Sequence, residues 1–329
     1  MDMRSDIAMT GRATSQPAEW RDYLALMKPR VMTLVVFTAF AGYVAAPAGI
    51  HPFMAAVAIL ALAMGAGAAG ALNMAYDADI DQMMRRTRLR PVPLGKVRQG
   101  DAYTFGLVTS AISVILMFLA ANMVAAGLLA FSIFFYAVIY TMILKRRTPQ
   151  NIVIGGAAGA FPPMIGWAVA TGSVSMDALI LFVIIFLWTP PHSWALALYK
   201  SGDYADAGVP MMPVAKGAKR TRLEILLYSL VLTPFALLPV LTGLGGWLYA
   251  GVGLLGGAVF LLLAWRIFNS RAGEAGSAED GALYAVRAGD KAARDLFAYS
   301  IGYLAALFAA LICEHALGAY MATPMGGLL

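Results

Sequence analysis

Apolar residues run with little interruption through nine stretches, 31–49, 53–76, 102–120, 123–144, 151–171, 178–199, 223–242, 247–268 and 296–316, separated by polar breaks. The stretches are continuous rather than alternating, and each approaches the roughly 20 residues that a helix needs to cross a bilayer. Backbone in hydrocarbon must satisfy its own hydrogen bonds, which a helix does within one segment. The pattern predicts an all-α, polytopic membrane protein with nine transmembrane helices around a central cavity opening to the cytoplasmic side. Residues 1–25 are expected to form a flexible cytoplasmic tail, and 26–329 a single transmembrane domain.

Small residues and prolines refine this picture. The run Met64-Gly-Ala-Gly-Ala-Ala-Gly70-Ala permits close helix packing. The pairs Pro162-Pro163 and Pro190-Pro191 remove backbone donors and predict kinks toward a cavity, and Pro234 and Pro239 predict irregularity in the seventh span. Phe131, Phe134, Phe135, Tyr136 and Tyr140 either line a tunnel or face lipid.

Composition agrees with the pattern: 60% of residues are hydrophobic, 13% are charged and mean hydropathy is +0.73. The 24 Lys and Arg residues fall in the N-terminal segment and at or beyond the ends of the second, fourth, sixth and eighth runs, as 5, 6, 3, 5 and 5. Cytoplasmic segments collect such residues, so the N-terminus is expected in the cytoplasm and the C-terminus outside. Anionic membrane lipids suit that inner face, and no nucleic-acid partner is expected. Cys313 is the sole cysteine, so an internal disulfide and a cysteine metal cluster are both excluded. The polar first 30 residues contain no signal-peptide pattern.

Candidate chemistry gathers where the second run ends, in Asn73-Met-Ala-Tyr-Asp77-Ala-Asp79-Ile-Asp81. In a continuing helix Asn73, Asp77 and Asp81 stack at i, i+4 and i+8, while Asp79 points away. An oxygen column of this kind suits Mg2+, which is usually held by one or two carboxylates together with substrate phosphate oxygens. Arg88 and Arg90 just beyond it, with Lys28, Arg30 and Lys200, are candidate partners for that phosphate. A second acidic word follows the sixth run, where Asp203 and Asp206 are candidate metal ligands facing the first cluster. His192, directly after a proline pair inside a span, is a further candidate. As interfacial groups these acids are expected to be exposed and to hold little of the fold. The constellation suits release of a diphosphate from a lipid-soluble isoprenoid, with an ion-coupled transporter as the reading from another class.

These words resemble the UbiA-type intramembrane prenyltransferase superfamily and, within it, the branch of protoheme IX farnesyltransferases. The likeness rests on Asn73 to Asp81, Arg85-Arg-Thr-Arg88-Leu-Arg90-Pro-Val-Pro93, Thr189-Pro-Pro-His192 and Asp203-Tyr-Ala-Asp-Ala-Gly-Val-Pro-Met211. It implies farnesyl transfer from farnesyl diphosphate, with addition of a hydroxyl, to the 2-vinyl group of haem B in a bacterial inner membrane. A quinone or chlorophyll-type acceptor is the alternative. The resemblance further implies Asn73, Asp77, Asp81, Asp203 and Asp206 as Mg2+ ligands, with Asp77, Asp81 and Asp203 as catalytic groups. It also implies a haem contact at His192, and haem A synthase or a terminal-oxidase assembly as a partner. Two positions depart from the wider pattern: Ala207 stands where relatives acting on hydroxybenzoate carry Asp, and Ser193 where Phe is usual.

Overall fold

The computed structural model describes residues 18–274 and 288–318, and the described chain is all-helical. The helices are α1 (Trp20–Leu26), α2 (Pro29–Ala45), α3 (Pro52–Tyr76), α4 (Ala78–Met83), α5 (Gln99–Ala120) and α6 (Met123–Phe134). α6 continues as a π-helix over Phe135–Leu144. Then come α7 (Asn151–Thr171), α8 (Met176–Tyr199), α9 (Ser201–Asp206), α10 (Met212–Lys216), α11 (Ala218–Phe235), α12 (Leu238–Thr242), α13 (Trp247–Phe268) and α14 (Lys291–Ala316).

Eight described spans are long and apolar enough to cross a membrane, with α11 and α12 counted together. A ninth exists if α1 and α2, bent by 54° at their junction, are taken as one span. Part of the expected tail lies outside the described residues. The rest is a correction: Trp20 to Leu26 is helical, Leu26 is buried, and the Tyr23 ring packs 5.3 Å from Phe105. An apolar stripe on this segment gains more by packing on α3 and α5 than by staying in water.

The helices form a closed circuit in which α2 packs on α3 and α7, α8 on α7, α11 and α14, and α13 on α11 and α14, which returns to α2. The expected irregularity at Pro234 and Pro239 is the turn between α11 and α12, whereas α7 and α8 run on as helices through their proline pairs. α2 and α7 meet backbone to backbone. A Cβ on Gly166 would fall on the carbonyl of Ala39, and one on Gly42 on the carbonyl of Pro163. Lipid supplies no hydrophobic drive between helices, so this approach is held by dispersion between closely fitted surfaces. The small-residue face of α3 serves the same purpose: Gly67 receives Met27, and Gly70 faces the Leu26 carbonyl. The α1–α2 elbow thereby seats against α3. At that elbow Lys28 takes a left-handed backbone with φ 53°, a conformation uncommon outside glycine that the packing around it must hold.

At the opposite end of the bundle, buried Glu314 of α14 accepts hydrogen bonds from the backbone N–H groups of Gly246 (2.6 Å), Leu248 (2.7 Å) and Tyr249 (3.1 Å). It satisfies the free donors at the start of α13, as an acidic cap does.

Because the atom opposite Gly166 is backbone, it cannot rotate aside. Gly166→Ala is expected to lower stability by roughly 1–3 kcal/mol through overpacking. Thermal unfolding in detergent checks this, with Gly172→Ala unsuitable as a control because of its positive φ of 70° and Gly127→Ala suitable because nothing crowds it.

Candidate active site

α3 formally ends at Tyr76, yet helical hydrogen bonding passes through the boundary. Asp77 N–H donates to the Asn73 carbonyl (3.0 Å), and Asp81 N–H to the Asp77 carbonyl (2.8 Å). The i, i+4, i+8 column therefore survives as a linked unit, and Asn73 Nδ2 donates to Asp77 Oδ2 at 2.7 Å. Asp79 points away from it, as the spacing predicts, and takes a forked contact from Arg146 at 2.6 and 2.7 Å. That guanidinium holds the Asp79 carboxyl below the usual carboxylate range.

One expectation is overturned. Asp77 and Asp81 are not exposed interfacial acids; they are 0% and 1% exposed. Burying two carboxylates is costly unless each is paired, and each is. Asp77 is bound by Lys145 and lies 3.5 Å from Arg146, and Arg90 Nη1 meets Asp81 Oδ2 at 2.6 Å. Lys28 Nζ donates to Asn73 Oδ1 at 2.8 Å, so this cation sits on a neutral amide within Coulombic reach of both carboxylates. Asp77 Oδ1 is buried without a hydrogen-bond partner.

Lys145, Arg146 and Thr141 are functional candidates that the sequence pattern did not single out. The π-helix brings them here. Its turns close over five residues, as in Lys145 N–H to the Tyr140 carbonyl (2.8 Å), and the Thr141 hydroxyl donates to the Tyr136 carbonyl (2.8 Å). A turn widened by one residue keeps Thr141 and Lys145 on the side of α3, where Thr141 Oγ1 accepts from Asn73 Nδ2 at 3.1 Å. Such widened turns concentrate at functional sites. The sequence signal was present only as Lys145-Arg146-Arg147 at the end of an aromatic-rich span, where topology already accounts for basic residues.

Beside the column lies an apolar cavity of about 190 Å3 between α2, α3, α6 with its π-helical extension, and α7. Val35, Leu62, Ile133 and Ile165 line it, with Lys28, Ser132 and Tyr136 as its polar residues. Of the aromatic candidates, Tyr136 thus faces the cavity, whereas Phe131 and Phe134 are exposed on the membrane-facing surface.

The other predicted residues divide. Arg90 joins the cluster, but Arg30 and Arg88 are exposed. Lys200 is half-buried, with Nζ 5.6 Å from the centre of the Tyr199 ring. The two acidic words do lie together: Ile80 and Met84 pack with Tyr204, Ala207, Val209 and Met211. Within the second word Asp203 is half-buried and Asp206 exposed. Among the described residues no three His, Cys, Asp or Glu side chains converge closely enough to hold a metal by themselves. His192 occupies a separate place on α8. Its ring is stacked between Trp188 (4.2 Å between centroids) and Phe297 (4.6 Å), and its Nδ1 lies 2.7 Å from Ser300 Oγ.

The sequence profile of the UbiA prenyltransferase family matches residues 35–280. The chain belongs to the UbiA prenyltransferase family. Among curated relatives of this UbiA-family protein, the protoheme IX farnesyltransferase of Maricaulis maris is 76% identical over 320 residues, covering 97% of each chain. That of Caulobacter vibrioides is 61% identical over 325 residues, covering 96% of this chain and 98% of its own. The fold is shared with solved structures: a digeranylgeranylglyceryl phosphate synthase (TM-score 0.68, 18% identity, 89% of this chain and 98% of that one) is one. Another is a UbiA homologue from Archaeoglobus fulgidus bound to GPP and Mg2+ (TM-score 0.60, 15% identity, 89% and 99%).

The buried pairing generates a coupling test. Asp77→Asn leaves the Lys145 ammonium without its counter-charge, and Lys145→Met leaves the carboxylate. Each single change should destabilise the protein, and the double change should recover roughly 1–3 kcal/mol of the summed loss. Unfolding of the four proteins in detergent measures it, and strict additivity would remove the pair from the fold's energetics.

Proposed function

We propose that this protein transfers the farnesyl group of farnesyl diphosphate to the 2-vinyl group of protoheme IX (haem B), giving haem O. The observation that carries the reading is 76% identity over 97% of the chain to a protoheme IX farnesyltransferase, in a family whose site chemistry agrees with the buried cluster. The C1–O bond of the prenyl diphosphate breaks with its electron pair on oxygen, leaving an allylic cation. The vinyl group attacks C1, and the resulting cation beside the porphyrin takes hydroxide from water, releasing a proton.

Lys28, at the mouth of the apolar cavity, meets the diphosphate, and Val35, Leu62, Ile133 and Ile165 take the prenyl chain. Arg90 and Lys145 hold the reactive end next to the carboxylates, so negative charge growing on the leaving oxygens meets fixed cations in a medium of low dielectric. The apolar walls keep water from the cation at C1. The residues present suit Mg2+: Asp77 has a buried oxygen without a hydrogen-bond partner, Asn73 and Asp81 share its column, and Mg2+ needs only one or two carboxylates when phosphate completes its shell. Asn73, Asp77 and Asp81 would hold it from α3 and α4, with Asp203 and Asp206 reaching the same diphosphate from α9. When bound it supplies charge neutralisation of the leaving group. We place this cluster on the cytoplasmic side, with nine spans, the C-terminus across the membrane, and anionic lipids at the basic face, because the lysines and arginines gather in alternate loops and at the helix ends beside them. His192 is assigned to the haem.

Membranes containing the protein, supplied with haem B and farnesyl diphosphate, should yield a more retained haem on reversed-phase chromatography. A chelator should abolish the product, and Asp81→Asn should reduce it by about 100-fold or more. A haem profile unchanged by the wild-type protein would refute the reading.

A further inference from the structure

The polar hydrogens around His192 can be placed one by one. Trp188 Nε1–H donates to the Ser300 carbonyl at 2.8 Å. Ser300 Oγ lies 2.7 Å from the Phe297 carbonyl and 2.7 Å from His192 Nδ1. A serine hydroxyl has one hydrogen, so two assignments exist. If the hydroxyl donates to Nδ1, the imidazole proton sits on Nε2, which has no acceptor among the described residues. If it donates to Phe297, His192 donates from Nδ1 to Ser300, and every donor in the group is satisfied. Inside a helix a serine hydroxyl back-bonds to a carbonyl one turn earlier, here that of Phe297, which leaves its oxygen free to accept from Nδ1–H. The second assignment therefore wins, and the lone pair is on Nε2.

This is the arrangement of a metal-binding histidine, whose second nitrogen is anchored by a donated hydrogen bond that fixes tautomer and orientation. The stacked faces of Trp188 and Phe297 hold the ring plane. Both anchors on α14, Phe297 and Ser300, lie one helical turn apart, so α14 sets the direction of a ligand carried on α8. We propose that Ser300 is a positioning residue that locks His192 in the Nδ1–H tautomer and presents Nε2 to the iron of the haem acceptor as an axial ligand. The inference rests on the haem reading above and adds the ligand, its tautomer and the residue that imposes it.

The test is ferrous haem B titrated into the purified full chain in detergent, read by haem uptake and by the iron–histidine stretch in resonance Raman. The wild type should take up haem and show the stretch, and His192→Ala should lose it. Ser300→Ala keeps the backbone carbonyl that holds Trp188; it should shift or lose the stretch and weaken haem binding about 10–100-fold, with farnesyl diphosphate binding unchanged. An identical stretch and affinity in Ser300→Ala would overturn the role of Ser300. Haem uptake without a histidine stretch in the wild type would overturn the ligation while leaving haem as the acceptor. No haem uptake at all would overturn both this inference and the proposed function.

Discussion

The structure turns on placing two carboxyl side chains in the buried interior at one end of a helical bundle. Asp77 and Asp81 are almost wholly removed from solvent, and without counter-charges their desolvation would exceed any stabilisation a helix terminus offers. Their partners come from two different parts of the chain: Lys145 and Arg146 follow the π-helix, and Arg90 lies in the loop after α4. Each partner ties its own segment to α3. The same ion pairs that gather at the carboxylates therefore also close this end of the bundle.

Close packing elsewhere supplies the rigidity that such pairing requires. The glycine contacts between α2 and α7 fix how α2 stands, and Gly67 and Gly70 of α3 receive the elbow that begins it. Lys28 projects from that elbow in a strained left-handed conformation. A cation held by packed backbone does not relax toward the nearest carboxylate, and it remains on the neutral amide of Asn73 at the rim of the cavity. The packing thus preserves an electrostatic arrangement that a looser bundle would lose.

How much of this could be read from the sequence depended on distance along the chain. The nine apolar runs gave the helices to within a few residues, and the four-residue spacing of Asn73, Asp77 and Asp81 gave the column, since both are local patterns. Lys145 escaped because its significance lies 68 residues from Asp77, and because a basic residue after a span is already explained by topology. The π-helix that aims it has no spacing signature within Phe135–Leu144. Arg88 and Arg90 are equivalent in sequence but differ in the fold, where the turn after α4 points only Arg90 at Asp81. Glu314 and Ser300 were invisible for the same reason: each acts on a distant helix, capping α13 in one case and contacting His192 in the other.

On the proposed reading, the balance of charge in this cluster suits a metal-bound prenyl diphosphate better than a free carboxylate or a neutral lipid. Asp77 with Lys145, Asp81 with Arg90, and Asp79 with Arg146 are three neutral pairs. Among the described residues Lys28 forms no ion pair with a carboxylate and is bonded instead to Asn73. On the proposed reading, a fully ionised prenyl diphosphate carries about three negative charges and one Mg2+ removes two of them. The remaining single charge matches Lys28. A second cation bound without substrate would face uncompensated positive charge in a medium where Coulomb energies are several times those in water. On that reading substrate and metal are favoured together, with Lys28 directing the diphosphate to the column while the prenyl chain enters the apolar cavity.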